Sequence, residues 1–209
     1  MSEFKKNKIR VGIVDLNIHN LFSIYHCLNN LNYKVSVINL NEKIKNFDIL
    51  LLPGVGSFKA AMKLIKKNNF HKKILDYSYK DKFIVAICLG MQLLFEESEE
   101  FGKTKGLNLI QGSVKNFPKN KNLIIPHVGW NKIIDCKKDH KHLNNKDFYF
   151  IHSLFCKPKD EKIILSNTIY KNIKFCSSIL TKNILATQFH PEKSGKWGLK
   201  FIKNLKNYI

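Results

Sequence analysis

The sequence predicts an α/β protein with a mostly parallel central sheet flanked by helices and a mixed or antiparallel extension in its second half. Three observations lead there. In the first half, short apolar runs alternate with stretches of helical spacing, the pattern of parallel βαβ units. The runs at 48–52 and 83–87 are apolar almost throughout, as strands covered on both faces are. After Gly102 the texture changes to shorter strand-like pieces. With 209 residues and no internal repeat or long linker, one domain over 1–209 is expected.

The elements follow in order. Residues 10–15 read as a short buried strand ending in a polar turn. Leu21, Ile24, Tyr25 and Leu28 give 20–31 a helical stripe, and 34–38 returns to strand alternation. The strand at 48–52 stops at Pro53-Gly-Val-Gly56, after which Ser57 is placed to cap a helix carrying Ala60, Ala61, Leu64 and Ile65. A second helix is expected over 71–79, then the strand 83–87, then a helix over 91–95. Further strands are expected at 123–125, 148–151, 163–165, 174–176 and 184–189, with 131–145 a polar loop and 197–209 a closing helix.

Composition narrows the function classes. Hydrophobic residues make up 44% of the chain, so it is neither disordered nor fibrous. The polar start and the shortness of the longest apolar run, 84–95, argue against secretion and against a membrane span, so a cytoplasmic protein is expected. The formal charge of +20 comes from lysines spread along the whole chain, with Arg10 as the sole arginine. Bidentate reading of phosphates and bases favours arginine, so the charge reads as a solvated surface and no nucleic-acid partner is expected. Five cysteines, widely spaced and without a C-x-x-C pair, fit neither a disulfide framework nor a zinc knuckle, and no metal or cofactor is expected.

Cys88 stands apart from the other cysteines. It follows an apolar strand, and Leu89-Gly90 leads directly into Met91-Gln92-Leu93. A strand–turn–helix junction lifts a nucleophile clear of the sheet, where backbone N–H groups favour a thiolate and the oxyanion formed next. Leu89 supplies a natural donor to that oxyanion. The alternative is a buried structural cysteine beside a glycine turn. A second segment, Gln188-Phe-His-Pro-Glu192, ends a late strand and offers an imidazole base with an acid to orient it. Both segments sit at strand C-termini, the edge at which doubly wound sheets hold their sites.

Ala86-Ile-Cys-Leu-Gly-Met-Gln92 together with Gln188-Phe-His-Pro-Glu-Lys-Ser194 resembles the class I glutamine amidotransferases. Leu52-Pro-Gly-Val-Gly-Ser57, Pro126-His-Val-Gly-Trp-Asn131 and Phe148-Tyr-Phe-Ile-His-Ser153 narrow the resemblance to the glutaminase subunits of imidazole glycerol phosphate synthase. The resemblance implies Cys88 as nucleophile, with His190 and Glu192 completing a triad. It implies Leu89 and the Gly54, Val55 and Gly56 segment as oxyanion and activation elements, and Gln92 and Ser153 as groups that hold substrate glutamine. It also implies a (β/α)8-barrel cyclase subunit as partner in a heterodimer, fed with ammonia for histidine biosynthesis.

On the same resemblance, His127, Trp130 and Asn131 are candidates for the partner interface, although Trp130 also suits a core aromatic. The pattern departs from the family near the N-terminus. Where the family shows Asp-Tyr-Gly-x-Gly-Asn-Leu, this chain has Asp15-Leu-Asn-Ile-His-Asn-Leu21, with Asn17 and His19 in place of both glycines. Asn17 and His19 join the interface candidates. The departure keeps open a second assignment, a paralogous glutaminase that supplies ammonia for nucleotide-sugar or surface-polysaccharide amidation.

Overall fold

The computed structural model of the chain describes residues 8–16, 21–118 and 123–209. The order is β1 (Arg10–Val14), α1 (Leu21–Asn30), β2 (Lys34–Ile38), β3 (Ile49–Leu52), α2 (Phe58–Lys67), α3 (Phe70–Tyr79), β4 (Phe83–Ile87) and the single turn α4 (Leu89–Leu93). There follow β5 (Phe95–Ser98), β6 (Thr104–Lys105), β7 (Ile110–Asn116), β8 (His127–Ile134), β9 (Lys146–His152) and β10 (Leu154–Pro158). The chain closes with β11 (Ile164–Tyr170), β12 (Ile173–Leu180), β13 (Ile184–Thr187) and α5 (Gly195–Lys203).

The strands join one continuous sheet in the order β2-β1-β3-β4-β13-β12-β10-β7-β5-β6, with β11, β8 and β9 branching from β12. From β2 to β13 every neighbour is parallel. Beyond β13 the pairing turns antiparallel through β12, β10 and β7. The expected architecture is therefore present, parallel in its first half and mixed beyond. In β3, Leu50 and Leu52 pack into one core cluster while Ile49 and Leu51 pack into another. That alternation explains the unbroken apolar run, because both faces are covered. One face carries Phe58, Met62 and Ile65 of α2 with Phe70 and Ile74 of α3, and the other carries Ile24 and Leu28 of α1 with Phe201 and Ile202 of α5.

Local signals act as expected at several ends. The Ser57 hydroxyl accepts from the Ala60 amide, and Glu100 accepts from Ser57 Oγ at 2.9 Å and the Phe58 amide at 2.6 Å. An acidic group at that terminus also complements the helix dipole. Four expectations are corrected. The helix expected over 91–95 is a single turn at Leu89–Leu93, because Phe95 enters β5. Residues 123–125 form no strand, and Asn131 belongs to β8 and not to a loop. The 163–165 strand begins only at Ile164 and runs on to Tyr170. The strands β5, β6, β7, β8 and β10 were not anticipated. β7 places Gln111, Gly112 and Ser113 in a row between Ile110 and Val114, so its pairing comes from neighbours and not from its own pattern.

Gly90 governs how α4 meets the sheet. A Cβ at Gly90 would lie 1.8 Å from the Leu52 carbonyl oxygen, so the turn rests backbone against backbone on the end of β3. Gly90→Ala is therefore expected to cost at least about 3 kcal/mol, since a backbone atom cannot move aside as a side chain can. Urea denaturation of variant and parent checks it. A loss below about 1 kcal/mol, the size of an ordinary substitution, would show that α4 does not sit on β3 in this way.

Candidate active site

The strands β4 and β13 are parallel neighbours with Ile87 opposite Thr187, so Cys88 and Gln188 leave the sheet side by side. The Cys88 amide continues the ladder by donating to the Thr187 carbonyl at 2.7 Å. Cys88 itself takes φ 53° and ψ −108°, a positive φ that costs a residue with a side chain on the order of 1–3 kcal/mol. That conformation turns the chain out of β4 and into α4, whose first bond runs from the Gln92 amide to the Cys88 carbonyl at 3.2 Å. The strand–turn–helix junction expected from the sequence is present, shorter than expected on its helical side.

His190 follows β13 by a route that fixes it twice. Its amide donates to the Tyr149 carbonyl at 2.9 Å, and its carbonyl accepts from Ser194 Oγ at 2.6 Å, which in turn accepts from the Tyr149 amide at 3.0 Å. Its Nδ1 meets Glu192 Oε1 at 2.7 Å, with both side chains almost fully buried. A carboxylate only accepts, so Nδ1 carries the proton and Nε2 faces the other way. Nε2 and Glu192 Oε2 are buried without hydrogen-bond partners. Burial opposes the imidazolium, yet the nearby Cys88 sulfur and the Glu192 carboxylate outweigh it and lift the His190 pKa to about 10. Cys88, His190 and Glu192 thus form one electrostatic unit, with no regular hydrogen bond from Nε2 to the sulfur.

The segment 53–56 lies beside this unit. Pro53 and Gly54 line a cavity of about 10 Å³ together with His190 and Glu192. The Leu89 amide, expected as an oxyanion donor, donates instead to the Gly54 carbonyl at 3.3 Å. Val55 is half-buried, and Gly56 is exposed at φ 112° with open space around it. Gln92 is buried, and its Nε2 donates to the Leu154 carbonyl at 3.3 Å and to Gln188 Oε1 at 3.2 Å. Ser153 is exposed in the bend between β9 and β10. Ile151, near the end of β9, has its carbonyl 3.6 Å from Cys88 Sγ. Gln188, Ile151 and Leu154 were not anticipated. Gln188 was quoted within its motif, and no local pattern says that its side chain reaches the sulfur.

Of the interface candidates, Trp130 is 54% exposed and meets Tyr149 edge-on across the β8–β9 pair. Val128, Ile151 and Ile169 are also exposed, and the strand register puts them on the same face as Trp130. His127 is corrected, because it is 1% exposed and stacked on Phe150 and Tyr170. Its Nδ1 meets His152 Nε2 at 2.9 Å and its Nε2 meets Asn131 Oδ1 at 3.1 Å. Asn131 also donates to the Ile169 carbonyl at 3.1 Å, so its side chain ties strands together. Asn17 and His19 lie outside the described residues. Among the described residues no group of three or more His, Cys, Asp or Glu is placed to hold a metal, and no helix is long and apolar enough to cross a membrane.

Comparison with known proteins supplies the family. Residues 12–206 match the model for "Glutamine amidotransferase class-I". The imidazole glycerol phosphate synthase subunit HisH 1 of Campylobacter jejuni is 41% identical over 93% of this chain and 98% of its own length. The subunit HisH of Caldanaerobacter subterraneus is 40% identical over 95% of this chain and 98% of its own. Among solved structures, PurLQS from Thermotoga maritima aligns with a TM-score of 0.75 at 17% identity, covering 97% of this chain and 99% of that one. A structure described as a glutamine amidotransferase aligns at 0.72 and 16% identity, over 95% and 99% of the two chains. At that identity the structures speak for the fold alone.

The buried histidine pair sets a pH dependence of stability. Burial pushes His152 down to about 3, against an upward pull from its bond to the Leu154 carbonyl, and burial also lowers His127. Unfolded, each titrates near its ordinary value of about 6.5. Below that value the unfolded chain takes up protons that the folded chain refuses, so stability is complete above it and is lost as pH falls towards the folded value. From about pH 6.5 to about pH 5 the loss for His152 should approach 1.4 kcal/mol per pH unit, and His152→Gln should flatten that slope. Denaturant titrations across this window read it directly. An unchanged slope in the variant would mean that another group carries the effect.

Proposed function

The chain belongs to the class-I glutamine amidotransferases, among the HisH subunits of imidazole glycerol phosphate synthase, and from that premise we propose that it hydrolyses glutamine with Cys88, His190 and Glu192 and hands the ammonia to a cyclase subunit. It is a glutaminase subunit of that synthase, in histidine biosynthesis. The observation that carries the catalytic assignment is the convergence of Cys88 with the buried His190–Glu192 pair at two adjacent parallel strand ends. The whole chain, 1–209, would act as one glutaminase domain in the cytoplasm.

The chemistry follows from the geometry. The Cys88 thiolate adds to the side-chain carbonyl carbon of glutamine, and its electron pair forms the C–S bond while the carbonyl pair moves onto oxygen. His190 gives the Nε2 proton to the amide nitrogen as the C–N bond breaks, releasing ammonia and leaving a γ-glutamyl thioester. Neutral His190 then takes a proton from water, whose oxygen displaces sulfur to give glutamate. Glu192 keeps Nδ1 protonated and supports the cation at each turn. Gln92 and Ser153 would hold the substrate glutamine, as the resemblance implies.

The oxyanion needs two donors, each worth roughly 3 kcal/mol in the transition state. In the resting arrangement the Leu89 amide is engaged by the Gly54 carbonyl. Rotating the Gly54–Val55 peptide would remove that carbonyl and present the Val55 amide to the same side. One movement would therefore free the first donor and create the second, and Gly54, whose ψ must change, lowers its cost. Docking of a (β/α)8-barrel cyclase subunit on the exposed Val128, Trp130, Ile151 and Ile169 face would bias that equilibrium, because the Ile151 backbone reaches the sulfur. Ammonia would then pass into the barrel instead of being protonated in water.

Cys88→Ala should abolish glutamate release while leaving barrel binding intact, and substantial turnover by that variant would sink the assignment. The chain alone should release glutamate slowly, with the histidine-pathway barrel and its acceptor raising the rate by orders of magnitude. Stimulation by a second barrel homologue alone would move the assignment to sugar amidation, and full activity without any barrel would refute the coupling. Trp130→Ala should weaken binding of the barrel by about 2 kcal/mol, roughly thirtyfold in Kd, as central aromatic anchors do. Titration calorimetry reads it, and an unchanged Kd would move the interface elsewhere.

A further inference from the structure

The mechanism uses Cys88, His190 and Glu192 and leaves a buried side chain beside the sulfur without a role. Gln188 is 0% exposed, and its Nε2 lies 3.5 Å from Cys88 Sγ. A carboxamide buried this deeply is costly unless all its groups are engaged. Its orientation follows from a fixed point outside it. The Leu154 carbonyl can only accept, so the Gln92 group that faces it is the NH2. That same NH2 meets Gln188, so Gln188 must present its Oε1 there, at 3.2 Å. The remaining end of Gln188, its NH2, is thereby turned to the sulfur.

The other neighbours of the sulfur make this donor matter. The Ile151 carbonyl at 3.6 Å accepts the thiol S–H, and the same oxygen repels a thiolate. A donor on the opposite account favours the thiolate, because hydrogen bonds to the charged form stabilise that form. We propose that Gln188 is a further catalytic residue: its carboxamide donates to the Cys88 sulfur and stabilises the thiolate, held in that orientation by Gln92. This rests on Cys88 as nucleophile. It gives Gln92 a positioning part as well, since Gln92 acts on the sulfur through Gln188. The Leu154 carbonyl that anchors both amides also accepts from His152 Nδ1 at 2.7 Å, so the anchor is tied to β9, the strand paired with β8.

The test follows alkylation of Cys88 by iodoacetamide against pH, in the full chain, with peptide mass spectrometry to read Cys88 apart from the other cysteines. Gln188→Met keeps the length and loses the donor. Its midpoint should move to higher pH and its rate at neutral pH should fall about tenfold, the size expected for loss of a hydrogen bond to a charged group. Gln188→Glu should shift the midpoint further, since a carboxylate repels the thiolate. Gln92→Met, which frees Gln188 to rotate, should shift it less and in the same direction. With the barrel subunit present, kcat of Gln188→Met should fall while KM for glutamine stays near the parent value, a split that loosened packing alone would not give.

Circular dichroism establishes that each variant is folded, and if Gln188→Met is not, Gln188→Glu and Gln92→Met decide. Superimposable alkylation profiles in the folded variants overturn the proposal. Its failure is distinguishable from failure of the nucleophile assignment. In the first case Cys88→Ala still abolishes turnover, and in the second Cys88→Ala keeps turning over glutamine whatever the alkylation profile shows.

Discussion

The parallel pairing of β4 with β13 is the constraint from which the site follows. Cys88 and Gln188 are 100 residues apart in sequence, and the match of Ile87 with Thr187 makes them neighbours. The register is strongly specified, because Ile84 and Ala86 face one core while Val85 and Ile87 face the other. A slip by one residue would exchange those faces and carry Cys88 away from Gln188 and His190. The bond from the Cys88 amide to the Thr187 carbonyl is the last rung of that ladder. Beyond it the chain leaves the ladder for the turn of α4 on one side and the 188–192 segment on the other, and the proposed site lies between them.

The irregular part is held under tension by neighbours of high order. Cys88 keeps a positive φ because α4 is seated on β3 through Gly90 and because Leu89 is tied to the Gly54 carbonyl. The tie that steadies the turn at Cys88 also occupies the Leu89 amide, so in the proposed mechanism resting stability and the oxyanion donor draw on the same hydrogen bond. Under the proposed function this arrangement suits an enzyme that is slow until its assembly is complete, with the exposed apolar face around Trp130 as the proposed place for that assembly to act. The salt bridges, by contrast, lie largely on exposed side chains, such as Lys80 with Asp76 and Lys182 with Asp81, and contribute little.

The β8–β9–β11 branch shows a different economy. Its inner face buries His127 and His152 with their rings joined at 2.9 Å, and Asn131 extends that chain to the Ile169 carbonyl. Its outer face leaves Val128, Trp130, Ile151 and Ile169 in contact with solvent. A motif that reads as a single surface signal thus divides by strand alternation. Trp130 goes outward, whereas His127 and Asn131 go inward, where Asn131 links His127 to the Ile169 backbone.

Some of this was written in the sequence alone. The strands β1, β3 and β4 and the helices around 58–79 were legible because their apolar patterns are dictated by burial on local, repeating geometry. Cys88, His190 and Glu192 were legible as candidates because glycine turns and a His-Pro-Glu segment are short-range chemistry. Tertiary structure decided the rest. β7 has only Ile110 and Val114 as apolar residues and β10 is a short Leu-Phe-Cys run ending in Lys157-Pro158, so neither announces itself, and they are strands because neighbours complete their hydrogen bonds. The sequence placed a donor at Leu89, and only the fold showed that donor bound to Gly54. Gln188 could be read as part of a motif, but that its amide faces sulfur depends on Gln92 and the Leu154 carbonyl, which no local pattern links. Periodicity reports which residues are buried. Which buried polar groups meet is settled by register between strands far apart in the chain.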